Sequence, residues 1–146
     1  MRLLARATIF GFRLAPILLL VYWILIFTGT HLPGSELRSL HVKDKVLHFG
    51  AFAGLAFLLA WSLPRRIGGV VPGVLVAAAV ALIYGVLDEW TQGFVSHRTP
   101  SLGDLLADAL GTLFGLLAYL GLRAVLVGIL ERPRASQQNW TQAPHR

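Results

Sequence analysis

Residues 88–115 read DEWTQGFVSHRTPSLGDLLADALGTLFG. The stretch holds Asp88, Glu89, Asp104 and Asp108, four of the seven carboxylates of the chain. Long apolar segments lie on either side of it. A charge deep in a membrane helix costs about 2.5–3.5 kcal/mol on insertion scales, so each of these acids needs a partner or water. The flanking segments read as scaffold that holds the polar groups at one membrane face.

Four apolar blocks are long enough to cross a hydrocarbon core, which takes roughly 17–25 helical residues. They are Leu14–Thr30, Val46–Leu63, Val70–Leu87 and Leu105–Ile129. The alternating ~10-residue segments of a membrane barrel are missing. Of the 146 residues, 55% are hydrophobic and 14% charged, against about 25% charged in a soluble domain. Mean hydropathy is +0.67. The reading is an all-α membrane protein with four transmembrane helices. A basic lead occupies residues 1–13, one helical domain residues 14–130, and a flexible polar tail residues 131–146.

Topology accounts for the basic pI of about 10.8. Four spans place both termini and the loop with Arg65 and Arg66 on one side. That side carries nine of the thirteen lysines and arginines. The positive-inside rule puts it, and both termini, in the cytoplasm, against anionic headgroups of the bilayer. A nucleic-acid partner is therefore not expected. Arg2, Arg6 and Arg13 before an apolar run also resemble a signal peptide. No A-x-A-like site follows, so the run reads as a retained first helix. The absence of cysteine excludes disulfides and thiolate chemistry.

Three helix ends then share the outer face. The second helix starts near Asp44, a good N-cap type, and carries Lys45 and His48 three residues apart on one face. The third ends with Asp88, Glu89 and Gln92, the latter two sharing a face. Ser101 caps the fourth, whose Asp104 and Asp108 lie four apart, with Asp108 about 6 Å deeper. The economical solution is one cavity joining His48, Glu89, Gln92, Asp104 and Asp108, with Arg98 as counter-charge. His48 and Glu89 are the candidate acid–base pair. Lys45, Gln92, Arg98, Asp104 and Asp108 are the candidate binding residues. His48, Glu89, Asp104 and Asp108 have donor types suited to a hard or borderline ion. No dense ligand motif supports that, so neither metal nor cofactor is expected.

Plainer roles stand beside these. Acids in the first turn of the fourth helix are favoured by its dipole, by about 0.3–1 kcal/mol. Dipole and capping do not explain Glu89 at the end of the third. Asp88 reads as plain surface. His48 suits an interhelical hydrogen bond as well as proton transfer. His31, His41, His97 and His145 read as solvated. Gly50/Gly54 and Gly111/Gly115 are small-residue faces that pack helices within the chain or between copies in a homo-oligomer.

The pieces DK-x-x-H (Asp44, Lys45, His48), E-x-x-Q (Glu89, Gln92), the loop arginine Arg98, and D-x-x-x-D-x-x-G-x-x-x-G (Asp104 to Gly115) resemble the VanZ-like family. The Leu32-Pro33-Gly34 break fits as well, and the resemblance covers about residues 30–120. It implies a small bacterial membrane protein of the inner membrane. The founding member is linked to low-level resistance to teicoplanin. Asp108 stands where the family usually has asparagine, which adds a carboxylate. Three function classes follow: an enzyme or binder for a lipid-linked envelope substrate, a non-enzymatic membrane scaffold with a structural polar lock, and a small transporter. Unbroken spans and the lack of an inverted repeat disfavour the transporter.

Overall fold

A computed structural model describes residues 8–9, 12–32, 44–63, 69–96 and 98–130. The Arg65/Arg66 loop, most of the loop between the first two helices, His97 and the tail lie outside the described residues. The fold is all-helical: α1 Leu14–Thr30, α2 Asp44–Ser62, α3 Val70–Gln92 and α4 Leu102–Leu130. A two-residue antiparallel ladder, Thr8–Ile9 with Phe12–Arg13, precedes α1. Helices α2, α3 and α4 are long and apolar enough to cross a membrane. The 17-residue α1 is a shorter apolar helix.

The helices outrun the apolar blocks at their polar ends. Hydropathy alone would stop α3 at Leu87 and start α4 at Leu105. The helices instead continue to Gln92 and from Leu102, because the acids there turn into the bundle and need not unwind toward water. Ser101 caps α4: its Oγ accepts a hydrogen bond from the Gly103 N–H at 3.2 Å.

Helices α2 and α4 form the most extensive interface. A Cβ on Gly111 would overlap the Phe49 carbonyl, and one on Gly115 the Ala53 carbonyl. The two backbones are thus in contact, as small-residue stripes allow. This face of α4 is filled from within the chain. Gly54 lies under the Tyr22 ring of α1, whose hydroxyl donates to the Ala51 carbonyl at 3.1 Å. Gly50 faces open space. On α3 the inward stripe is Ala77, Ala81 and Gly85, continuing into Asp88, Glu89 and Gln92.

The core is Ile26, Phe52, Leu55, Ala56, Leu59, Ala60, Ala77, Ala81 and Leu116. Trp23 and Tyr84 meet edge to face at 5.0 Å, and Tyr84 stacks on Phe52 at 5.7 Å. Large apolar side chains such as Leu20, Leu25, Leu75, Ile83 and Leu117 point outward. Among the described residues, eight polar or charged ones are buried. Apolar outside with polar inside is the distribution that lipid imposes, since hydrocarbon offers polar groups no partner.

Candidate functional site

The end of α1, the start of α2, the end of α3 and the start of α4 meet at one end of the bundle. His48, 1% exposed, sits at the centre. Its Nδ1 is 2.9 Å from Asp108 Oδ1. Its Nε2 has no hydrogen-bond partner and lies 4.0 Å from Glu89 Oε1, which also has none. The other Glu89 oxygen accepts the Ser101 N–H at 2.7 Å, tying α3 to the first turn of α4. Asp108 Oδ2 is unpartnered too, as is Thr112 Oγ one turn deeper. Gly85 makes room here: a Cβ on it would come within 3.3 Å of Asp108 Oδ2.

A second polar network lies alongside. The Asp88 carboxylate accepts from the Thr30 hydroxyl at 2.9 Å, the Tyr84 hydroxyl at 3.3 Å and Gln92 Nε2 at 2.7 Å. Arg98 Nη1 donates to Gln92 Oε1 at 2.8 Å, so the Gln92 amide bridges the guanidinium and the Asp88 carboxylate. His31 stacks on Phe27 at 4.0 Å, with Nε2 3.0 Å from Thr91 Oγ. At the rim, Arg98 pairs with Asp44 at 3.3 Å and Lys45 pairs with Asp104 at 3.3 Å.

Of the residues expected in one cluster, His48, Glu89, Asp104 and Asp108 lie together, whereas Gln92 belongs to the neighbouring Asp88 network. The expected pairing of Arg98 with those carboxylates is corrected. Among the described residues, its one ion pair is with Asp44, and it also reaches the Leu32 carbonyl at 3.4 Å. The loop after α3 turns back toward α1 and α2, leaving His48 as the group that faces Asp108. Asp44 is therefore an ion-pair partner rather than only a helix cap. Asp88 is fully enclosed, not surface, because the end of α3 is wedged between α1 and the α2/α4 pair. Thr30, His31 and Tyr84 went unnoticed as members of the cluster. The one available signal was a threonine–histidine pair ending an apolar span.

A helical bundle that is apolar outside and polar at one internal end defines a membrane protein with a buried polar cluster. A family model, VanZ/LLP1, matches residues 13–126. The chain belongs to the VanZ/LLP1 family. None of the curated proteins and none of the solved structures matches it significantly.

Proposed function

We propose that the chain binds an anionic, lipid-linked cell-envelope substrate at the outer face of a bacterial inner membrane. Four spans with both termini cytoplasmic orient the polar end outward. The observation that carries this reading is the cation Lys45 at the edge of an apolar groove, at the end of the bundle where His48 Nε2, Glu89 Oε1 and Asp108 Oδ2 are buried and unpartnered. Buried polar atoms are ordinarily paired, and an orphan costs about 1–3 kcal/mol. Three together mark this end of the bundle as one with bonding capacity left over.

A lateral groove between α2 and α4 supports the lipid part. It measures about 320 Å³, is walled by Val46, Phe49, Leu106, Ala107 and Leu110, and has Lys45 at its edge. An alkyl chain fits the walls and an anionic head fits the ammonium. Arg98 is the second cation at this end. His48, oriented by Asp108, and Glu89 would carry a proton at the head group. Through this substrate the protein would alter susceptibility to teicoplanin-type glycopeptides.

The test compares lipid copurified with wild type, Lys45→Ala and Glu89→Gln, together with teicoplanin susceptibility. The expected result is an anionic lipid on wild type that Lys45→Ala loses. If Glu89→Gln keeps the lipid and loses the phenotype, the site does chemistry; if both go, it binds only. Equal lipid and equal susceptibility in all three overturn the reading. A second reading, a structural lock, is favoured by the Asp88 network, whose carboxylate is fully bonded. Failure of the Glu89 variant to accumulate would extend that role to the whole cluster.

A further inference from the structure

We propose that this end of the bundle holds a divalent cation of the Zn²⁺ or Mn²⁺ class, ligated by His48 Nε2, Asp44 and Asp104, with Glu89 Oε1 4.0 Å from the imidazole. One ring nitrogen of His48 and one carboxylate oxygen each of Asp44 and Asp104 lie within 4.8 Å of one another. Asp108 occupies Nδ1, which leaves Nε2 as the ligating atom. Donors about 2.0–2.2 Å from one ion sit roughly 3–4.2 Å apart. The 4.0 Å between His48 Nε2 and Glu89 Oε1 falls in that range, too long for a hydrogen bond between them.

Two further observations point to a cation. Both of those atoms are buried and unpartnered, with the His48 side chain 1% and the Glu89 side chain 9% exposed. The Asp108–His48 hydrogen bond is the arrangement that orients a ligating imidazole: a carboxylate takes the Nδ1 proton and directs the Nε2 lone pair at the metal. Charge balance agrees. Among the described residues, Asp44, Glu89, Asp104 and Asp108 face Arg98, Lys45 and the His48 ring, so the carboxylates outnumber the cations beside them. A divalent ion corrects that imbalance. One imidazole with several carboxylates suits Zn²⁺ or Mn²⁺ better than the all-oxygen preference of Mg²⁺.

The ion binds the protein alone, with no lipid required. The full chain is purified in detergent, treated with chelator, dialysed against ZnCl₂ or MnCl₂, and its metal content and thermal midpoint are measured. The expected result is one tightly held ion per chain that raises the midpoint. His48→Gln and Asp104→Asn should each weaken it at least tenfold, and Asp108→Asn by 10–100-fold through loss of ring orientation. Asp44→Asn, at the half-exposed rim, keeps the test open if the buried variants do not fold. It should weaken binding as well, whereas Asp88→Asn should not. No stoichiometric uptake of either ion by wild type, or equal uptake by Asp44→Asn and wild type, overturns the proposal.

Discussion

Asp88 and Asp108 are equally enclosed, at 1% and 0% exposure, yet their surroundings are opposites. Asp88 accepts hydrogen bonds on both oxygens, from Thr30, Tyr84 and Gln92. Asp108 has His48 on one oxygen and nothing on the other. The first network joins α1 to α3 and spends all its bonding capacity on the fold. The second joins α2, α3 and α4 and leaves capacity over. A buried polar group that is satisfied stabilises its bundle, and one left unsatisfied marks where something else can bind.

That contrast is tested most severely by Asp88→Ala. Removing it takes the acceptor from the Tyr84 hydroxyl and the Gln92 amide and should cost about 1–3 kcal/mol for each buried donor left unsatisfied. Thermal unfolding in detergent would register a large fall in midpoint or failure to accumulate. A mild effect would place Asp88 with Asp108 as a site residue. Next is Gly85→Ala, between the two networks. Its Cβ would meet Phe52 at 3.2 Å and Asp108 Oδ2 at 3.3 Å. About 1 kcal/mol of destabilisation is expected, with a greater loss of ligand than of stability.

Glu89→Gln should stay within about 1 kcal/mol of wild type, because the amide oxygen can still accept the Ser101 N–H. Its loss should show in function rather than in melting. A melting loss as large as that of Asp88→Ala would erase the distinction. Smallest is Lys45→Ala. The side chain is 62% exposed, and such ion pairs contribute about 0.2–1 kcal/mol. Stability should hardly move while anionic lipid is lost; retained lipid would remove Lys45 from the site.

Much of this was readable before any coordinates. Acids and a histidine flanked by apolar helices have few places to go, so His48, Glu89 and Asp108 could be expected to gather. Which of them pair could not. Asp88 and Glu89 are adjacent, about 100° apart around the helix, and a helix packed on one side buries only one of them. Both are buried because α3 has neighbours on two sides, a fact about packing that α3's own residues do not encode. Arg98 likewise goes where its loop turns. His31 looked solvated because nothing in its neighbours reveals Thr91 opposite.

The linear chain alone determined the helices, their spans and the residue types gathered at one end, because hydrophobic length and the expense of charge in oil act locally along each segment. Only the assembled bundle decided that Asp88 is closed off while His48, Glu89 and Asp108 retain open valences. Hydrogen bonding is short-ranged and directional, and its outcome depends on which side chains from separate helices arrive within about 3 Å of one another.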